Sequence, residues 1–139
     1  MFLSSEKIKE AVRLGELIIT PYSDVKVKPA SYTFTLDKAI KDLSTGEEIS
    51  IPLEGFILKP GAFVIGKTVE TINLRNKYIL ILGNRSSLAQ QGIDVLQSST
   101  IAEPDTNGQL TLEINNNGPK TVYLMPGMGI AKGIFSEIN

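Results

Sequence analysis

The sequence predicts a mainly β fold, a sandwich, jelly roll or barrel with one short N-terminal helix. Three observations carry this expectation. From residue 16 onward, short apolar segments recur at close intervals, each bounded by Pro, Gly, Asn or Ser, the pattern of many short strands joined by tight turns. The only stretch with convincing helical spacing lies at the N-terminus. The chain has 139 residues, within the range of one domain and long enough to bury about two-thirds of its unfolded surface without covalent staples. No linker, repeat or low-complexity tract interrupts it, so residues 1–139 are read as a single domain.

The elements follow in order. Ser4-Ser5 offers a cap for a helix over Glu6–Leu14, in which Ile8, Ala11 and Val12 share a face and Gly15 is a natural stop. Strands are expected at Glu16–Thr20, Ser31–Leu36, Glu48–Ile51, Phe56–Leu58, Ala62–Thr68, Tyr78–Leu82, Gln109–Asn115, Thr121–Leu124 and Gly129–Phe135. Turn signals separate them at Pro21, Ser44-Thr45-Gly46, Lys59-Pro60-Gly61 and Met125-Pro126-Gly127, and the run Asn115-Asn116-Asn117 reads as a hairpin turn before Gly118-Pro119.

The composition excludes whole classes of chemistry through its zeros. There is no Cys, no His and no Trp. Disulfides, thiolate nucleophiles and Cys-based zinc or iron–sulfur sites are therefore impossible. So are an imidazole base and a Ser-His-Asp triad, and the His/Cys/Cys zinc site of the usual base deaminases. Lys+Arg number 14 and Asp+Glu 15, a balance that argues against non-specific nucleic-acid binding. No apolar run approaches a membrane span, and the first residues lack a signal-peptide pattern. The expectation is a soluble cytoplasmic protein without nucleic-acid or membrane partners. Its catalysis would rest on carboxylates, hydroxyls, Lys/Arg, amides or an oxygen-held metal.

Two segments carry candidate chemistry. Strand alternation places Leu110, Leu112 and Ile114 on one face and Thr111 and Glu113 on the other, so Glu113 either faces solvent or lines a cavity. Gly83-Asn84-Arg85-Ser86-Ser87-Leu88-Ala89 leaves a strand through a polar turn into a short helix. Two hydroxyls and a cation there suit an anion; the other reading is a helix capped by Ser86 or Ser87 with Arg85 in solvent.

Six motifs in chain order extend this reading. Leu3-Ser4 through Ile8 and on to Gly15-Glu16-Leu17-Ile18-Ile19-Thr20-Pro21 opens the series. Lys28-Pro29-Ala30-Ser31-Tyr32 is similar to P-A-S-Y-D-L-R-L-G, and Phe56 to Val64 to F-x-L-x-P-G-E-F-x-L. Arg85-Ser86-Ser87-Leu88-Ala89 matches R-S-S-L-A, Pro104 through Glu113 follows I-D-P-G-x-x-G-x-x-x-L-E without a gap, and Met125 to Ile130 follows Y-P-G-M-R-I. Together they resemble the dCTP deaminase branch of the dUTPase-like trimeric nucleotide hydrolases over nearly the whole chain.

The resemblance implies a distorted jelly-roll, β-clip fold assembled as a homotrimer, acting on dCTP to give dUTP without zinc. Glu113 then corresponds to the general base and acid that activates water and passes protons to the ring and the leaving ammonia. Ser86 helps hold the water and phosphates, Arg85 and Ser87 bind phosphate, and Gln90 and Ser99 complete the substrate-binding set. Sites of this family form between subunits, so Glu113 and Arg85-Ser86-Ser87 come from different chains. Magnesium accompanies the triphosphate through its own oxygens, with no protein metal site. The family also holds dUTP diphosphatases, whose water-activating acid corresponds to Glu103, a Glu in place of Asp, with Asp105 as a second candidate. A third reading is a non-catalytic trimer that binds nucleotide or serves structure.

Departures from the pattern fall on chemical positions. Gln90 stands where the pattern has a second Arg, and an amide supplies neither its charge nor its fork. Thr33 replaces Asp, Asn84 replaces Gly, and Gly129 and Lys132 replace Arg and Gln. The sequence ends at Asn139, where family members usually continue into a segment that closes over the nucleotide, so a poorer water seal is expected.

Overall fold

In the computed structural model, which describes residues 1–139, helix α1 (Ser5–Arg13) is capped by Ser4, whose hydroxyl accepts the N–H of Lys7 at 3.4 Å. Its C-terminus closes in a Schellman arrangement: Gly15 N–H donates to Val12 O at 3.1 Å and Glu16 N–H to Ala11 O at 2.9 Å. Gly15 has φ +72°, a conformation that side-chain-bearing residues rarely adopt. Ile8 and Ala11 are buried and Val12 packs against the core, as the helical spacing predicts.

The strands are β1 (Ile18–Thr20), β2 (Tyr32–Thr35), β3 (Ala39–Lys41), β4 (Glu48–Ser50), β5 (Phe56–Leu58), β6 (Phe63–Asn73) and β7 (Tyr78–Asn84), then a one-turn helix α2 (Ser86–Ala89), and β8 (Ile93–Asp94), β9 (Ile101–Ala102), β10 (Asn107–Asn116), β11 (Val122–Leu124) and β12 (Gly129–Glu137). All pairings are antiparallel. One sheet runs β4-β3-β6-β10-β8, with β1 also on β6; a second runs β2-β12-β7-β9; β5 and β11 form a small ribbon. A single cluster of 29 buried apolar residues, from Ile8 to Phe135, lies between them. The mainly β, jelly-roll expectation stands.

The spine of the larger sheet is β6 against β10, from Asn107 opposite Asn73 to Asn115 opposite Phe63. Its register breaks where Gln109 faces Thr71 and Thr111 faces Lys67, a bulge that sets three residues of β6 (68–70) against the single Leu110 of β10. Thr68 bridges it, donating from Oγ1 to Glu70 O at 2.8 Å and accepting Leu110 N–H at 3.0 Å.

Several elements differ from the sequence expectation. β6 runs to Asn73 rather than Thr68, because Glu70 occupies an inward position. Its carboxylate is fully buried and satisfied by Thr35 N–H at 2.9 Å, Thr35 Oγ1 at 2.6 Å and Lys26 Nζ at 3.1 Å. The Asn run is not a turn: Asn115 and Asn116 end β10. Asn116 is buried, and its Nδ2 donates to Leu58 O at 2.9 Å and Lys120 O at 2.8 Å, tying β10 to β5 and to the approach of β11. Strands β3, β8 and β9 are too short to leave a periodic signal.

Candidate functional site

Strand β10 decides between the two readings of Glu113. Leu110, Leu112 and Ile114 are buried, and Glu113 lies on the opposite face. Glu113 is half-buried there, and its Oε2 is buried and has no hydrogen-bond partner. The backbone N–H of Glu113 donates to Val95 O at 3.0 Å, fixing the strand against the segment after β8. Asp94 of β8 stands opposite Asn115 in register, so its side chain and that of Glu113 share a face, one step apart along β10. Burial pushes the Glu113 carboxyl above the ordinary range and the Asp94 charge adds to this, against a lowering from a backbone hydrogen bond.

Asp94 is held as an anion. Desolvation raises its carboxyl, but the N–H of Leu96 (2.9 Å), the Asn84 amide (3.1 Å) and the N–H of Gln97 (3.3 Å) all donate to Oδ1, and the net effect is a lowered pKa.

Glu113 opens on a cavity of about 390 Å³ whose walls include Ser99, Glu103, Asp105, Gln109 and Thr111. Glu103 and Asp105 are exposed and belong to a tight turn in which Thr106 N–H donates to Glu103 O at 2.9 Å. The structure thus brings Glu113, Glu103 and Ser99 together.

Arg85, Ser86 and Ser87 line a different groove, of about 370 Å³, with Lys28, Thr33 and Lys132. No apolar residue and no carboxylate lines it, and it shares no residue with the Glu113 cavity. The alternative of a serine-capped helix with a solvated Arg85 is overturned. Arg85 itself occupies the cap position of α2 without a capping side-chain bond. Its Nη1 instead donates to Gly129 O at 3.1 Å. Ser86 and Ser87 are exposed at the start of α2. Gly129 makes room for the guanidinium, since a Cβ there would lie 2.6 Å from Arg85 Nη1. Gln90 is exposed at the end of α2 and lines neither cavity. Sequence reasoning missed Asp94, because only the pairing of β8 with β10 places it beside Glu113. It noted Lys132 only as a departure and did not single out the charge of Lys28. No group of three or more Asp or Glu is arranged to hold a metal ion.

A profile for dCTP deaminase-like proteins matches residues 2–138. The chain belongs to the dCTP deaminase-like family. Among curated relatives, it is 32% identical over 159 residues to the dCTP deaminase of Halorubrum lacusprofundi, covering 100% of this chain and 78% of that protein. It is 34% identical over 151 residues to the dUMP-forming dCTP deaminase of Coprothermobacter proteolyticus, covering 97% of this chain and 81% of that one. In structure, the dCTP deaminase-like chain is similar to the 2'-deoxycytidine 5'-triphosphate deaminase of Agrobacterium tumefaciens, with TM-score 0.81 and 18% identity over 99% of this chain. It spans 48% of that longer chain. A dUTPase from phage phi11 of S. aureus aligns over 88% of this chain and 91% of its own, with TM-score 0.60 and 15% identity. The fold is therefore dUTPase-like, and no helix of the dCTP deaminase-like chain is long and apolar enough to cross a membrane.

Proposed function

We propose that this chain deaminates dCTP in a site completed by a second copy of itself, within a homotrimer. The observation that carries the reading is the buried, unpartnered Oε2 of Glu113 at the wall of a polar cavity. A buried carboxylate oxygen kept without a protein partner is costly and suits a group that must receive a proton from outside the chain. In the reaction, the Glu113 carboxylate takes a proton from water as the oxygen adds to C4 of the cytosine. It passes that proton to N3, then takes the hydroxyl proton of the tetrahedral intermediate and gives it to the amino group, which leaves as ammonia as the C4 carbonyl forms. Its raised pKa brings it nearer the operating pH of such a base and acid.

Arg85, Ser86 and Ser87 hold the phosphates, with Arg85 aimed by Gly129 O. One chain keeps this groove apart from Glu113, so a site that uses both needs a second copy, and that separation supports the trimer reading. The chain offers no carboxylate cluster for a metal; magnesium would come with the phosphate oxygens and would supply charge neutralisation. Ser99 lies in the Glu113 cavity, where the base would rest. Gln90 stands at the end of α2, away from both cavities, and its contribution to substrate binding would come across the subunit boundary.

A second reading is favoured by Glu103 and Asp105, which line the same cavity as Glu113. Either carboxylate would activate a water for attack on phosphorus, so that the same site would release pyrophosphate and yield dUMP. Incubating the protein with dCTP and magnesium, and following ammonia, dUTP, dUMP and pyrophosphate, tests both. Ammonia with dUTP supports deamination alone, and ammonia with dUMP and pyrophosphate supports the combined reaction. No turnover at high protein concentration, with nucleotide binding retained, leaves the non-catalytic trimer.

A further inference from the structure

We propose that Gly118 and Gln91 are positioning residues for substrate binding: the turn that follows β10 clasps the end of α2 and so sets where Arg85, Ser86 and Ser87 stand. The inference rests on the reading of those three residues as the segment that holds the phosphates and adds to it what fixes them in place.

Helix α2 has four residues and no side-chain cap. One turn of helix does not hold itself, so its position comes from what grips its ends. At the front, Arg85 Nη1 is tied to Gly129 O, and in the middle Leu88 is buried. The rear is gripped by main chain. Asn117 N–H donates to Gly92 O at 2.8 Å, and Gly92 N–H donates to Ala89 O at 2.9 Å. A Cβ on Gly92 would stand 2.5 Å from Gly118 N, and one on Gly118 would overlap the carbonyl oxygen of Gln91. The two segments therefore meet backbone to backbone, with no side chain between them. Gly118 lies outside the left-handed region, so glycine is required there by space and not by φ.

The turn that carries Gly118 is itself held. Gly118 N–H donates to Asn116 Oδ1 at 2.9 Å, and the Asn116 side chain is fixed through its two bonds to Leu58 O and Lys120 O. Strand β8 then pairs Ile93 with Asn116 and Asp94 with Asn115. Gln91 adds a last link from an exposed position, donating from Nε2 to Ser87 O at 3.0 Å. Neither Gln91 nor Gly118 lines the Arg85 groove or the Glu113 cavity, so both act on substrate only through α2. A displaced α2 loosens the phosphates equally in the ground state and the transition state, which raises KM and leaves kcat unchanged.

Calorimetric titration with dCTP and magnesium, in a Glu113→Gln background that slows turnover, tests this beside steady-state kinetics of the otherwise unaltered chain. Gly118→Ala is expected to weaken dCTP binding about tenfold, as a small misplacement of the binding groups does, and to raise KM alike. Its kcat and the acid limb of its pH profile are expected to match the parent. Gln91→Ala is expected to weaken binding about threefold, the worth of one hydrogen bond; its exposed position keeps the core intact, so it decides the matter if Gly118→Ala does not fold. Gly46→Ala is the control: φ +73° strains any side chain there, yet a methyl meets open space. It is expected to lower the melting temperature and to leave dCTP affinity as in the parent. Parent-like affinity in either folded variant overturns the proposal, as does a fall in kcat without a rise in KM, or the same loss of affinity in Gly46→Ala. The deamination reading is scored separately. No turnover by the parent, with the expected ranking of affinities, removes only that reading. Turnover with KM unmoved by the variants removes only this inference, and no dCTP binding by the parent removes both.

Discussion

Asn84 grips the segment of Asp94 at two points: its Nδ2 donates to Asp94 Oδ1 at 3.1 Å, and its Oδ1 accepts the N–H of Val95 at 2.9 Å. The pair fixes an ionised carboxylate beside Glu113, since Asp94 is held below the usual range while Glu113 is pushed above it. Asp94→Asn keeps the shape and removes the charge. The Glu113 carboxyl then falls toward its ordinary value, and the acid limb of kcat/KM for dCTP moves to lower pH. An unchanged limb would show that Asp94 does not tune Glu113.

Glu113→Gln abolishes the proton transfer and lowers kcat by about 10²–10⁴-fold. The same variant tests the burial of the charge. With the folded-state pKa raised, the unfolded chain ionises first as pH rises, so the wild-type protein loses stability between the unfolded and folded values and does not regain it above them. Glu113→Gln is therefore more stable than the parent at pH 7, by about 1 kcal/mol, or about 3 °C at this size. The advantage vanishes below about pH 4, where both states are protonated. Thermal melts at the two pH values check it.

Gly129→Ala places a methyl 2.6 Å from Arg85 Nη1 and 3.0 Å from Thr33 Cγ2. The guanidinium is the group that moves, because it is the far end of a flexible side chain. Affinity for dCTP falls about tenfold, by roughly the worth of one hydrogen bond to a charged group, with a melting temperature little changed. Loss of cooperative unfolding instead would show that β12 itself, not Arg85, is disturbed.

Glu70→Gln leaves Lys26 without its anion and gives Thr35 N–H and Oγ1 a poorer partner in a buried site. Breaking a buried ion pair from one side costs about 3–5 kcal/mol. Lys26 keeps 27% of its side chain exposed, so the lower end applies, about 3 kcal/mol or roughly 10 °C. Urea unfolding measures it; a change below about 0.5 kcal/mol would mean that the pair contributes no net stability.

Much of this protein is determined by the sequence alone. The helix at Ser5–Arg13 follows from a serine cap, one apolar face and a glycine stop, all read within a dozen residues. The faces of β10 follow from strict alternation, which separated Glu113 from Leu112 and Ile114 before any strand had a partner. The motifs around Arg85-Ser86-Ser87 and Leu112-Glu113 pointed to the family because they are contiguous in the chain. What tertiary structure decided involves residues far apart. Alternation says which way Glu113 points but not that Asp94 of β8 lies beside it, or that its Oε2 is buried without a partner. A charged Glu70 at an inward position reads locally as the end of a strand, and only Thr35 and Lys26, brought from other elements, make its burial tolerable. Arg85 reads as a solvated cation until Gly129, 44 residues away, supplies its carbonyl and the empty space for the guanidinium. Local sequence sets backbone conformation and facing, because these depend on near neighbours. Strand order and register set which charges meet and which are shielded from water, and these arise only when the sheets assemble.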